Sequence, residues 1–594
     1  MDRNVAIATV LIAVIMFAWL WLLSPRNGEG PTQQEQPVLD TTAAVEQEQE
    51  NNQPTRSILQ APPSDSLLAG VQEGEERTIV VQTDLYTAVL SSKGATFKSF
   101  VLKKYKEFDQ KTPVQLVDSA AHGALSLAFT TPGNRVVDTR ALYFTPGFQG
   151  DTLRIEGEPA SLSFTTAIAG GMLRQTYTFK PGEYEIGLAV QQSGPTFMTS
   201  EGYEVDWNGG LSYTEGDPER EANATGAYAR SGGEIESVTL QKEAEEEQRL
   251  AGVVDWTAVK NKYFTAVVIP SRKTRGAELI GVRGANYEET YNEVYTTRLL
   301  MGPAAADTFR LYLGPMDFYR ISKYDLGLYG MVDYGWDTLE WITRPLAEFI
   351  FIPVFNFLGS FIHNFGLVII IFALLIKIVL YPLTKTSYVS MARMRELQPK
   401  MEAIKEKYAD DSQKQQQAII QMYKETGVSP FGGCMPMLLQ YPVLIALWQF
   451  LPSSLAIRQQ SFLWAHDLSA PDAILHLPFT IPLYGNYVAG FTLLMGLSLI
   501  VQMRLQAQPS TNPQAKMFTY MMPAMLFLFF NRYAAGLSLY YLVYNVASAV
   551  QQKFINDRLQ EKHGIEITKA GTVTKEKSKA PAARKRKSPK KART

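Results

Sequence analysis

The sequence predicts an α-helical polytopic membrane protein with six transmembrane helices and a separate extracytoplasmic all-β domain. Three observations predict it. Six apolar runs punctuate the 594 residues, at 5–23, 367–383, 435–451, 487–501, 517–530 and 537–550, and the longest approach the ~20 residues a helix needs to cross a bilayer. Between the first and second runs, from about residue 77 to 319, apolar residues alternate in short stretches parted by turn residues, the pattern of strands. The net charge of −1 conceals an acidic stretch after the first run and a strongly basic C-terminal tail.

The run 5–23 follows Arg3 and ends at Ser24-Pro25-Arg26, with Trp19 and Trp21 suited to the far interface. No Ala-x-Ala-like site follows it. It reads as an uncleaved signal anchor (residues 1–23) rather than a removed signal peptide, which puts the next segment outside the cytoplasm. Residues 24–76 are rich in Gln, Glu, Pro, Ser and Thr and poor in aromatics, so they form a disordered linker.

The domain at 77–325 reads as a β-sandwich of two packed sheets, with strands at 78–83, 86–91, 124–129, 172–179 and 184–190. Turn residues separate them, at 92–94, 132–134 and 181–183. Ser231-Gly232-Gly233 and the acidic run beginning at Glu243 read as solvated loop. No nucleophile motif, catalytic carboxylate pair or phosphate loop stands out, so the chain does not read as an enzyme. The single cysteine, Cys434, excludes an intrachain disulfide. His466, Asp467 and His476 are better read as a polar loop than as metal ligands, and neither metal nor cofactor is expected.

Residues 334–358 mix aromatics with charges at near-helical spacing, which reads as an amphipathic interfacial helix, with a plain linker helix as the alternative. The membrane core is 362–556. From 362 onward the 384–428 loop and the 557–594 tail carry most of the Lys and Arg, whereas 452–477 has only Arg458. That asymmetry places both termini in the cytoplasm.

Within the run 367–383 sits one ammonium group, Lys377, with no carboxylate beside it. A charge at membrane depth costs a few kcal/mol or more and normally faces protein interior or a wet cavity. Two readings stand: the stem snorkels toward Lys385, or the group lines a functional cavity.

The 384–428 loop is polar yet strongly helix-forming. Met394, Leu397, Met401 and Ile404 give a first helix broken near Pro399, and Asp410-Asp411 can cap a second that ends at Gly427. The apolar stripe is expected to hold the two helices together. The charged face, with Arg393, Arg395, Lys400, Lys405 and Lys407, is then a docking surface. The tail's Arg584, Lys585, Arg586 and Lys587 are expected to bind polyanions, either ribosomal RNA or anionic lipid heads.

Four long motifs stand out: Tyr381-Pro-Leu-Thr-Lys-Thr-Ser-Tyr-Val-Ser-Met-Ala-Arg-Met-Arg-Glu-Leu-Gln-Pro-Lys400, Tyr423-Lys-Glu-Thr-Gly-Val-Ser-Pro-Phe-Gly-Gly-Cys-Met-Pro436, Trp464-Ala-His-Asp-Leu-Ser469 and Gly536-Leu-Ser-Leu-Tyr-Tyr-Leu-Val-Tyr-Asn545. They resemble the YidC family of membrane protein insertases, related to the mitochondrial Oxa and chloroplast Alb proteins. Asp255-Trp256 and Lys262-Tyr-Phe264 also look like family signatures. With the anchor and the external domain, the likeness covers essentially the whole chain in its Gram-negative form. It implies a five-helix insertase core in the bacterial inner membrane, with a hydrophilic groove open to cytoplasm and lipid, and a periplasmic β-supersandwich.

The groove's basic residue, usually arginine in the family, is Lys377 here. Lysine keeps the charge and loses the planar fork. The family's substrate-contacting positions match Ala373 and Tyr541. The implied activity is insertion and folding of inner-membrane proteins, alone or with the Sec translocon (SecYEG, SecDF). Implied partners are nascent membrane proteins, the ribosome, the signal recognition particle with its receptor, and membrane lipid; no small-molecule substrate is implied. On residues alone two other functions stay open: a secondary transporter with Lys377 in its solute path, and an envelope enzyme with a sugar-binding β-domain. No internal repeat supports the first.

Overall fold

The computed structural model describes residues 68, 70–118, 123–240, 243–284, 291–332, 334, 337–427, 435–481, 484–506, 521, 524–563, 565–567 and 573–575. The expected anchor, most of the expected linker, the basic tail residues 584–587, Cys434 and the Arg395 side chain lie outside them. By compactness the chain divides into two units, one holding residues 393–430, the other 64–392 and 431–594.

In the larger unit, alternation of apolar residues builds the strands where it is cleanest. Strand β1 (Gly171–Phe179) buries Leu173, Gln175, Tyr177 and Phe179 and turns Met172 and Arg174 outward. It pairs antiparallel with β2 (Glu185–Ser193), Tyr177 opposite Leu188. The sheet continues from β2 through β4 (Ala306–Pro315) to β3 (Phe264–Pro270), inside a nine-stranded array. Two further sheets, of five and six strands, accompany it. Among the described residues the domain therefore has three sheets where two were expected. Strands of three to five residues, such as 113–117, 136–138 and 152–154, are too short to show alternation. Among the described residues, all but one of the pairings are antiparallel, the exception joining 78–82 to 152–154. Trp207, Trp256, Tyr177 and Tyr295 are fully buried, and burying an apolar side chain contributes about 1.5–3 kcal/mol.

The acidic run beginning at Glu243 is a second correction. Glu245–Ala251 is a strand at the margin of the six-stranded sheet, paired with Gly276–Arg283. Its charges sit where an unpaired edge faces water, which deters edge-to-edge association. Gly232 and Gly233, with φ of +62° and +91°, form the two-residue turn between Gly226–Ser231 and Glu234–Val238, a conformation glycine adopts without steric penalty.

The second half is mostly helical. Helix α1 (Asp337–Leu346) runs through a π-turn at 347–351 into α2 (Ile352–Phe361). Arg344 in α1 bonds Glu340 and lies 3.2 Å from Glu348. Beyond it the run turns apolar. Residues 339–361 are long and apolar enough to cross a membrane, so the stretch continues past the expected end at 358.

Helix α3 (Phe365–Val379) starts at Asn364, whose side chain accepts the Leu367 N–H at 3.2 Å. A break at Leu380 leads into α4 (Tyr381–Glu396), where Pro382 in the first turn removes no needed hydrogen bond. The two are bent by 67°, and would form a second crossing if the pair is one span. Gly366 is required by a close approach: a Cβ there would lie 2.1 Å from the Phe462 ring.

In the smaller unit, α5 (Gln398–Lys407) and α6 (Ser412–Thr426) form the hairpin. Asp411 caps α6 by accepting the Lys414 N–H at 3.0 Å, and Gly427, with φ +64°, ends it. Met394, Leu397 and Met422 are buried together with Met401, Ile404 and Tyr423 packed around them. The expected apolar stripe thus joins the two helices.

The remaining helices are α7 (Met435–Ser453), α8 (Gly490–Gln506) and the 29-residue α9 (Ala535–His563), with a helical stretch at 524–530. Residues 490–504 are apolar but shorter than a usual span. Between α7 and α8 the loop ends in an unexpected ribbon, β5 (Ala473–Ile481) against β6 (Gly485–Ala489).

Candidate functional site

Lys377 lies in the last turn of α3, and only 7% of it is exposed. Its ammonium donates to Ser548 Oγ at 2.6 Å and lies 3.4 Å from the Tyr388 hydroxyl. It also sits 4.4 Å from the Tyr544 ring centroid and 5.5 Å from that of Tyr388. Three helices build this cage. Tyr544 and Ser548 are one turn apart on α9, hence on one face. Tyr388 comes from α4, returned toward α3 by the bend. Ser548 donates its own hydroxyl hydrogen to the Tyr544 carbonyl at 2.7 Å, which frees its lone pairs for the ammonium. No carboxylate pairs with Lys377 among the described residues. The charge is held by neutral acceptors and ring faces, each contact with a desolvated ring contributing up to ~2 kcal/mol.

Beside the cage, α3 and α9 diverge around a cleft of about 680 Å³. Leu374, Ile378, Leu542, Val546, Val550 and Phe554 give it an apolar lining, and Lys377, Tyr381 and Gln551 are polar members. Ile378, Val546, Val550 and Phe554 are half or more exposed. Polar groups tie α9 to its neighbours α4 and α8. Gln551 donates to Thr384 at 3.2 Å, Asn545 donates to Ser498 at 3.2 Å, and Thr492 and Ser538 share a hydrogen bond of 2.8 Å. Ser538, Asn545 and Gln552 recur every seven residues and form one buried seam along α9.

Two of the three groove residues expected from the sequence do not line this cleft. Ala373 is buried in the core one turn before Lys377, next to Phe372, whose ring lies 6.2 Å from that of Tyr540. Tyr541 is half-buried, edge-on to Phe530 at 5.5 Å. Tyr544 and Ser548 were missed, yet they fall three and seven residues after Tyr541, the positions that share its face. Tyr388 lies inside the family motif at 381–400. Of the hairpin residues, Arg393, Lys400 and Lys407 are exposed and Lys405 is half-buried. The Lys407 ammonium rests 5.3 Å from the Tyr408 ring.

A second polar cluster joins the β-domain to the loop after α7. Arg458, its side chain 2% exposed, lies 2.8 Å from Glu215 and donates to the Lys106 carbonyl at 2.6 Å. Its guanidinium covers the rings of Tyr263 and Phe264 at 5.2 and 5.5 Å. Tyr263, from the expected signature Lys262-Tyr-Phe264, donates to the Pro452 carbonyl at 2.5 Å. Nearby, burial pushes the Glu221 carboxyl up to about 7 against the N–H groups of Glu215 and Thr214. Gln459 adds hydrogen bonds to the carbonyls of Lys106 and Glu107. His466 and His476 gather no metal-binding group among the described residues.

Fold and site together define a class: a β-rich domain clasped onto an apolar helical assembly that holds one caged cation beside a cleft. The comparisons with known proteins agree with this division. Residues 78–349 match the family described as YidC periplasmic domain, and residues 357–562 the family described as 60Kd inner membrane protein. A membrane protein insertase YidC from Chlorobium phaeovibrioides is 41% identical over 98% of this chain and 99% of its own. The membrane protein insertase YidC of Chloroherpeton thalassium is 38% identical over 99% and 100%. A solved structure, an active YidC insertase with the first transmembrane domain resolved, aligns with 82% of this chain and 95% of its own at 19% identity and a TM-score of 0.32. The chain belongs to the YidC family of membrane protein insertases.

Proposed function

We propose that this protein inserts and folds inner-membrane proteins through the cleft between α3 and α9. The observation that carries the reading is the caged ammonium of Lys377 beside an exposed apolar wall. A client has two kinds of surface to place, a polar segment that must cross and an apolar helix that must end in lipid. The cage offers the first a positive charge below the surface. Ile378, Val546, Val550 and Phe554 offer the second a path toward lipid, where burial drives the step at ~25 cal/mol per Å². Six crossings, cytoplasmic termini and a periplasmic β-domain fit this reading. The α5–α6 hairpin and the basic tail are the docking surfaces for the ribosome, the signal recognition particle with its receptor, and the Sec translocon.

Lysine in place of arginine means that charge matters more than a two-pronged geometry. Purified protein in liposomes tests this with a small two-span client and, in parallel, a solute-uptake assay. Insertion without uptake is the expected result. Lys377→Arg should be tolerated, Lys377→Ala should impair clients with acidic translocated segments, and Lys377→Glu should be worst. A Lys377→Cys side chain, with Cys434 replaced, should react with water-soluble thiol reagents from the cytoplasmic side. An unreactive cysteine together with a fully active Lys377→Glu protein would sink the proposal.

A further inference from the structure

The ribbon β5–β6 is an element whose side chains have nowhere to go within the described molecule. Ile474 and Leu475 lie where the β5–β6 register shifts, and they are 53% and 58% exposed. Phe479, further along, is 60% exposed. An isolated two-stranded ribbon is marginal in water, and one with large apolar residues bare is more so. Its base nevertheless is firmly built. Asp472 Oδ2 accepts from the Trp464 indole at 2.8 Å and from the Phe491 N–H at 2.7 Å, pinning the start of β5 to the start of α8. Asn531, fully buried, accepts the Ala489 N–H at 2.8 Å and donates to the carbonyls of Tyr484 and Tyr487 at 3.0 and 2.7 Å. Two buried polar side chains thus present an apolar ribbon outward.

What covers it follows from its chemistry and continuity. Between Asp472 and Arg504 the chain has no Asp, Glu, Lys or Arg, and β6 passes directly into α8. The preceding loop is the opposite: it meets the β-domain through Arg458, Gln459 and hydrogen-bonded carbonyls. The ribbon brings no charge to match such a surface. Helix α8 has 17 residues, about 25 Å at 1.5 Å per residue, short of the ~30 Å hydrocarbon core. Something apolar is needed at its outer end.

We propose that the β5–β6 ribbon is a lipid-binding anchor, seated in the headgroup and upper acyl region of the outer leaflet, which sets the depth of the short helix α8. The depth is limited because an open strand edge has N–H and C=O groups that hydrocarbon cannot satisfy. Tyr487, half-buried and carrying an apolar ring with a polar tip, suits that level. The inference rests on the proposed reading of α8 as a membrane span.

The test uses the full-length chain with Cys434→Ser, purified into vesicles of phosphatidylethanolamine and phosphatidylglycerol. An environment-sensitive fluorophore is placed at Phe479→Cys and, separately, at Leu475→Cys and Leu497→Cys. Nitroxides in the lipid headgroup region, nitroxides at mid-chain and aqueous iodide serve as quenchers. Both ribbon probes are expected to lose most of their fluorescence to the headgroup nitroxide and less to the mid-chain nitroxide or iodide. Leu497, half exposed in the middle of α8, should be quenched at mid-chain. Ribbon probes quenched by iodide alone would place the ribbon in water and overturn the proposal. Ribbon probes that no quencher reaches would mean a protein cover, the β-domain or a second copy, and overturn it equally. A Leu497 probe that mid-chain nitroxide does not quench would instead overturn the reading of α8 as a span.

Discussion

Lys377 is stabilised by groups that are all neutral, so the cage tolerates the charge without cancelling it. A carboxylate in the same place would occupy the ammonium and leave nothing for a client. Replacing Ser548 by Ala removes the acceptor at 2.6 Å, and a hydrogen bond to a charged group contributes about 1.5–3 kcal/mol. Replacing Tyr544 by Leu removes the closer ring face, about 0.5–2 kcal/mol. Both variants are expected to slow insertion of acidic clients several-fold, whereas Tyr544→Phe keeps the ring and should keep the rate. Initial insertion rates in proteoliposomes decide it. A Phe variant as slow as the Leu variant would shift the role from the ring to the hydroxyl. The charge itself was legible in the sequence because a lone lysine in an apolar run is conspicuous. Its partners were not, since Ser548 lies 171 residues away and serine or tyrosine on a helix reads equally well as packing.

Elements with a strict period were legible and elements with a composite character were not. Alternation located β1, and the Asp411 and Gly427 caps located α6. The ribbon β5–β6 went unread because His476 and Pro478 interrupt its pattern and make it resemble a loop. The run through α1 and α2 changes from charged to apolar midway, so its polar beginning masked its length. The role of the α5–α6 hairpin is tested by removing it without disturbing the cage. Deleting 386–427 would also remove Tyr388 from the cage and confound two effects. Replacing 397–427 by a short Gly/Ser linker removes the hairpin's paired helices and leaves Tyr388 in the chain. Insertion is expected to be lost in that variant while a Lys377→Cys probe remains reactive from the cytoplasmic side. Full insertion with the linker would show that the hairpin is only a connector.

Across the whole molecule, the β-domain and the loop after α7 are held by a buried pair, Arg458 with Glu215, whose side chains are 2% and 11% exposed. This leads to an asymmetry that exposure alone would not suggest. Excising residues 77–310, with the residues before 77 and the run 337–361 kept, removes Glu215, Tyr263 and the Lys106 carbonyl together, and Arg458 then regains water. Glu215→Ala keeps the cover and removes the partner, leaving a guanidinium buried without its counter-charge, and breaking such a pair costs about 3–5 kcal/mol. The point variant is therefore expected to loosen the 454–470 loop more than the excision affects the membrane half. Limited proteolysis within 454–470 and insertion of a small two-span client would both be measured. The excised protein should insert the small client at near the normal rate. The Glu215→Ala protein should show faster cleavage in the loop, and Arg458→Ala added to it should restore much of the protection by removing the stranded charge. Loss of insertion of every client on excision, at normal membrane levels, would instead make the β-domain part of the insertion machinery.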